Sequence, residues 1–174
     1  MLRILDITAP DINNGNGLRV TIWFAGCKHH CKGCHNSWTW NYDQGVNLFT
    51  KNIEETLNDT YTNEVFNKLH HWLDKDYIEG VTLSGGDPLC QDDEALSILI
   101  GLLAFIKQTW PSKTIWCYTG YVYEELNEKQ KEVLKYCDVL VDGPYIEELR
   151  DIAHTPFRGS TNQRIIYLKD GCRL

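Results

Sequence analysis

A chain of 174 residues is long enough to bury a core without disulfide staples and short enough to form one domain, residues 1–174. Its 24 acidic against 17 basic side chains leave a net charge of −7 and no Lys/Arg run, so direct binding of DNA or RNA is not expected. The longest apolar run, ALSILIGLLAFI at 95–106, is broken by Ser97 and Gly101 and is too short to cross a bilayer; with no signal peptide in view, a soluble cytoplasmic protein that avoids membranes is expected.

Strands and helices alternate along the chain. LRILDI (2–7) could add an edge strand at the start. RVTIWFA (19–25), apolar and β-branched, reads as a strand that runs straight into the loop GCKHHCKGCHNSWTW (26–40). NEVFNKLHHWLDK (63–75) places Val65, Leu69, Trp72 and Leu73 at helical spacing, with Thr62 or Asn63 as its cap and His70 and His71 as ordinary surface or half-buried residues. GVTLSGG (80–86) is a second strand. DDEALSILIGLLAFIKQTW (92–110) follows as a helix, with acids in its first turn and Pro111 just past its end. KTIWCYTG (113–120) reads as a strand, YEELNEKQKEVLKY (123–136) as a helix, and CDVLVDG (137–143) and QRIIYL (163–168) as further strands.

This order implies an α/β fold with a mostly parallel sheet. Closing an eightfold barrel takes about 250 residues, so a partial, incomplete β/α barrel or an open curved sheet is expected. Four strands end in glycine-bearing turns: Gly26, Gly85–Gly86, Gly120 and Gly143. In parallel α/β sheets the carboxyl ends of the strands share one edge, and ligands bind there. The cysteine loop, SGGDP (84–88), YTG (118–120) and VDGP (141–144) should therefore meet in space.

The chemistry concentrates in Cys27, Cys31 and Cys34. Seven cysteines, an odd number, without an export signal argue against a disulfide framework. Cys90, Cys117, Cys137 and Cys172 are scattered and read as buried small hydrophobes. A structural zinc site would need a fourth ligand from His29, His30 or His35, all cramped by the loop itself. A ferredoxin-like carrier would want a closed cage of four thiolates. Three thiolates on a [4Fe-4S] cubane would leave one iron open to a substrate or cofactor, with Gly26 and Gly33 letting the backbone curl close.

The C-x3-C-x2-C spacing is the signature of the radical S-adenosylmethionine (SAM) superfamily. Together with TLSGGDPL (82–89), IWCYTGY (115–121), VLVDGPY (139–145) and FRGSTNQRI (157–165), the chain resembles the family that activates anaerobic ribonucleoside-triphosphate reductase, over nearly its whole length apart from 45–78. The resemblance implies a [4Fe-4S] cluster on Cys27, Cys31 and Cys34, with SAM chelated to the open iron. Reductive cleavage of SAM would give a 5′-deoxyadenosyl radical, which would take hydrogen from a glycine of the reductase's large subunit and leave a glycyl radical. An electron donor such as flavodoxin is implied as a second partner.

Further residues follow from the same resemblance. Ser84, Gly85, Gly86 and Asp87 are candidates for holding the SAM ammonium group. Gly33, beside Cys34, stands where the wider superfamily often has an aromatic ring facing the adenine, and His35 would supply the nearby planar surface. Tyr118 and Thr119 end a strand on the ligand edge; core packing is the alternative for Tyr118. Arg158 could pair with the SAM carboxylate, with the partner, or with an ordinary surface acid. Asp142 and Gly143 form an exposed strand end, and Trp38 and Trp40 could shield the cluster or present a docking face. Two other readings stay open: an activase of another glycyl-radical enzyme such as pyruvate formate-lyase, and a non-catalytic metal-binding module.

Overall fold

The structure, a computed structural model, describes residues 1–48 and 60–168, with the backbone alone for 60–63. Its centre is a seven-stranded sheet in the order β3-β1-β2-β4-β5-β6-β7. The strands are β1 (Arg3–Asp11), β2 (Leu18–Phe24), β3 (Val46–Asn47), β4 (Ile78–Gly85), β5 (Thr114–Tyr118), β6 (Val139–Asp142) and β7 (Arg164–Tyr167). Among the described residues the helices are α1 (Thr60–Leu73), α2 (Asp93–Thr109) and α3 (Glu128–Leu134). None is long and apolar enough to cross a membrane.

β2, β4, β5 and β6 run parallel, while β1, β3 and β7 join antiparallel at the flanks. The sheet is therefore mixed. β1 is not the expected edge strand: it lies between β2 and a short β3 that the sequence did not announce. Its hairpin partner is dictated by distance, since the short polar connection at 12–17 can only fold the chain straight back.

Helix boundaries follow the caps. Asp92 accepts a hydrogen bond from the Ala95 amide at 2.7 Å and starts α2 as expected. The helix expected over 123–136 is shorter. Tyr123–Glu125 forms a separate 3-10 turn, and a capping box of Asn127 with Gln130 starts α3 afresh. α1 begins at Thr60, upstream of the residues expected to cap it, whose side chains lie outside the described residues. Cys172 also lies outside them.

The sheet has two unlike faces, set by the period-2 alternation of side chains. Val20, Ile22, Phe24, Val81, Leu83, Ile115, Cys117 and Leu140 face the helices and pack with Leu69, Leu73, Leu96, Leu99, Leu103 and Ile106 in the main core. The other face carries polar and aromatic rows. Register aligns Thr21, Thr82, Trp116 and Val139 in one row; one step up, it puts Trp23 beside Ser84 and Tyr118 beside Val141.

Arg19 plugs the lower end of that second face. Only 1% exposed, it donates from Nε to Thr82 Oγ1 at 2.7 Å and from Nη2 to the Val81 and Thr114 carbonyls at 2.7 and 2.9 Å. Nη1 reaches Asn16 O at 3.0 Å, and the guanidinium lies 5.5 Å from the Trp116 ring centre. Burial pushes its pKa down to about 10, which still leaves a full cation near neutrality. Arg19→Ala would leave these buried acceptors unpaired and open a void. A loss of about 3 kcal/mol or more is expected, seen as a lower urea midpoint at unchanged slope.

Candidate functional site

At the other end of the same face, β2 runs out at Phe24 and the chain swings through Gly26, whose φ of +98° is the left-handed region. The cysteine loop is closed at its base by two backbone bonds: Gly26 N–H to Thr39 O at 2.8 Å and Cys27 N–H to Trp40 O at 3.1 Å. Its start is also laced to the turn after β4. Gly86 N–H donates to Phe24 O and Asp87 N–H to Gly26 O, each at 2.8 Å. A Cβ on Gly86 would come within 2.3 Å of Gly26 O, so only glycine permits this approach.

Within the loop, Cys34 N–H donates to Cys31 O at 3.1 Å, and His30 adopts a φ of +48°. Cys27 is 7% exposed, Cys31 and Cys34 are half-buried, and all three thiols are free. Together they line a small cavity of about 120 Å³, joined by Ser84, Gly85 and Gly86 from the end of β4. Thr119 and Gly120 beyond β5 and Gly143 beyond β6 complete the ring, so the glycine-bearing strand ends do converge. Trp40 is on the wall, whereas Trp38 is 52% exposed and leans on Trp23 at 6.0 Å.

Asn36, Ser84, Tyr118, Tyr145 and Gln163 are shared with a larger cleft of about 660 Å³ that continues outward. His35 lines this outer space, its ring 5.4 Å from Tyr145. Tyr118 donates its hydroxyl to Phe157 O at 2.8 Å, and burial pushes its phenol pKa upward. Arg158 also lines the outer cleft. One terminal nitrogen holds Gln163 O at 3.1 Å, while its buried Nε has no hydrogen-bond partner among the described residues.

Three expected residues lie off these walls. Gly33 backs onto Glu147, whose Oε1 would stand 2.6 Å from a Cβ added there. Asp142 is taken up by Arg164 at 2.5 Å and by the Tyr123 amide at 2.8 Å. Asp87 is 1% exposed and its carboxylate is filled by the protein itself. Oδ1 accepts from Leu89 N–H at 2.8 Å; Oδ2 meets the His29 ring, the Thr119 hydroxyl and Gly120 N–H, each at 2.9 Å. Asp87 thereby ties the cysteine loop to the ends of both β4 and β5.

The donor set suits an iron–sulfur cluster. Burial pushes the Cys27 thiol up to about 12 and raises Cys31 as well, so assembly must displace protons from both. Among the described residues, no three His, Cys, Asp or Glu side chains converge on a single point. In a cubane each thiolate grips its own iron, so three thiols spread along one cavity wall can serve.

Comparison with known proteins is decisive for the family. A family model described as a 4Fe-4S single cluster domain matches residues 13–166. The anaerobic ribonucleoside-triphosphate reductase-activating protein of Enterobacteria phage T4 is 41% identical over 92% of this chain and 91% of its own. The chain belongs to the activating-protein family. The protein of the same name from Haemophilus influenzae is 39% identical, covering 94% of this chain and 97% of its own; that from Escherichia coli K12 is 37% identical over 91% and 94%. Among solved structures, QueE from Escherichia coli aligns with a TM-score of 0.45 at 12% identity, over 79% of this chain and 68% of that one.

In this family member several wall residues escaped the sequence reading. Asn36, Tyr145 and Gln163 lie inside stretches that carry the resemblance, yet the sequence assigns them no role of their own. The structure sets all three in loops on the wall, Gln163 just before β7 rather than in the strand expected from 163. The role of His29 was equally hidden, because its partner lies 58 positions away. Asp87→Ala would strand four donors. A cost of about 2–4 kcal/mol is expected, together with faster alkylation of Cys27 by peptide-resolved thiol labelling, while Cys117 stays protected. Gly86→Ala should shift the same two readouts in the same direction.

Proposed function

We propose that the chain is a radical SAM enzyme, built on an incomplete β/α barrel, that activates an anaerobic ribonucleoside-triphosphate reductase in the cytoplasm. The observation that carries this reading is continuity: the cavity holding the thiols of Cys27, Cys31 and Cys34 opens directly into the larger cleft across Ser84 and Tyr118. A [4Fe-4S] cluster on those three thiols would keep one iron free of side chains on the cleft side. The cleft's volume of about 660 Å³ lies inside the range of small-molecule sites, about 300–1,000 Å³. Once bound, cluster and SAM would supply the electron and the radical that removes hydrogen from a glycine of the reductase's large subunit.

The chain's own residues bind, orient and enclose. Ser84 and the unhindered backbone at Gly85 and Gly86 meet the amino-acid end of SAM. Asp87 acts from behind that wall, holding the cysteine loop against the turn. The buried Nε of half-buried Arg158, without a hydrogen-bond partner among the described residues, gives the cleft a cationic donor suited to a carboxylate. His35 offers a flat surface for the adenine, and the Tyr118 ring, fixed by its bond to Phe157, forms part of the wall. Gly33 provides the tight turn between Cys31 and Cys34. A donor such as flavodoxin supplies electrons from outside.

Anaerobic reconstitution with iron and sulfide should give about four irons per chain. Reduction with SAM present should then release 5′-deoxyadenosine. Cys27→Ala, Cys31→Ala or Cys34→Ala should abolish both, while Cys137→Ala, buried behind the sheet, should keep them. Mixing the reduced, SAM-loaded protein with the reductase should produce a glycyl-radical EPR signal, and mixing with pyruvate formate-lyase should not. A cluster-replete sample that releases no 5′-deoxyadenosine would end the catalytic reading.

A further inference from the structure

A second cleft, of about 440 Å³, lies behind the cysteine loop and shares no wall residue with the cavity or cleft described above. Ala25 and Lys28 line it, bracketing Gly26 and Cys27. Tyr42 stands beside them on the same wall. Its ring lies so close over Gly26 that a Cβ there would come within 2.1 Å of Cδ1. The residue is nevertheless 42% exposed. Its hydroxyl is fixed at 2.8 Å from Cys90 O and 3.1 Å from Cys90 Sγ. An exposed aromatic face is thus held rigidly one residue from the first cysteine of the trio.

The electrostatics of this cleft run against the molecule's net charge of −7. Asp92 is occupied, capping α2 and facing the Met1 amine at 3.5 Å. Arg3 holds the Gly45 carbonyl at 3.0 Å, and Lys28 lies over the Tyr121 ring at 5.4 Å. Among the described residues neither of those cations is paired with a carboxylate, and with Asp92 facing the Met1 amine, Asp43 is left to oppose them on this wall. The surface is a small cationic rim around an aromatic platform.

We propose that this back cleft is where a reduced flavoprotein with an acidic face docks to deliver electrons, with Tyr42 as the contact platform. The inference rests on the cluster reading above. Electron transfer through protein falls steeply with distance, and the front cleft is taken by SAM and the glycine-bearing partner. The path from the Tyr42 ring across Gly26 to Cys27 is short and leaves the front free. In the transfer a flavin hydroquinone gives up one electron and one proton to become the neutral semiquinone. The cluster gains the electron, and the proton goes to solvent.

The test uses the cluster-loaded full chain, flavodoxin hydroquinone as protein donor and dithionite as small reductant, with reduction followed by anaerobic stopped-flow absorbance. Tyr42→Leu and Lys28→Glu should each slow reduction by flavodoxin about tenfold, as expected for lost contact and reversed rim charge, and leave the dithionite rate unchanged. Tyr42→Phe keeps the ring and should retain the wild-type rate, as should Lys68→Glu, which is remote on α1. The Lys28→Glu effect should shrink at high salt. Unchanged flavodoxin rates in both Tyr42→Leu and Lys28→Glu would overturn the proposal, as would equal slowing with dithionite or by Lys68→Glu. Failure of the wild-type chain to take up iron would instead overturn the cluster reading beneath it.

Discussion

A single buried carboxylate holds the functional end of the molecule together. Asp87 accepts from its own turn, from a histidine inside the cysteine loop, and from the hydroxyl and amide that end β5. Those three segments are brought side by side by the parallel register of β2, β4 and β5, but register alone leaves their loops free to splay. A desolvated carboxylate must find partners or neutralise, so its four acceptor sites act as a strong constraint on loop position. The glycine pair adds a steric condition to this polar one, because the turn can reach Gly26 only with no side chain in between.

The division of labour between the sheet's faces explains why the site lies where it does. The helices cover one face with aliphatic side chains, and that face supplies the main core. The opposite face is closed below by Arg19 and Trp116 and stays open above, where Ser84 and Tyr118 begin the cleft wall. A buried cation with no carboxylate partner among the described residues is an unusual plug. It succeeds because carbonyls and hydroxyls of three neighbouring segments point at it, giving each polar hydrogen a fixed acceptor.

Much of this was legible in the chain. Strand-type runs ending in glycine located the edge where the cavity and cleft lie, and the spacing of Cys27, Cys31 and Cys34 located three thiols on the cavity wall, because both signals are local. What stayed hidden depended on pairing at a distance. β3 is two residues long and exists only as a partner for β1. The antiparallel placement of β1 was readable from the brief polar connection at 12–17, yet apolar periodicity alone suggested only an edge strand. Asp87 sat inside a motif that drew attention to ligand contact, whereas its oxygens are filled by groups 2 to 58 positions away. The helix read over 123–136 was split because the periodicity ran smoothly through Asn127, where the capping box outweighs it.

The plug at the base of the sheet has a consequence for traffic. Arg19 fills the lower end of this sheet face, and the front cleft lies above it, walled by Ser84 and Tyr118. On the proposed function, a small molecule bound at the deep end would have to be aboard before a large partner covered the opening, and its fragments would depart after that partner lifted away. On that reading, the order of arrival and departure follows from where the cleft sits, above the filled end of the sheet.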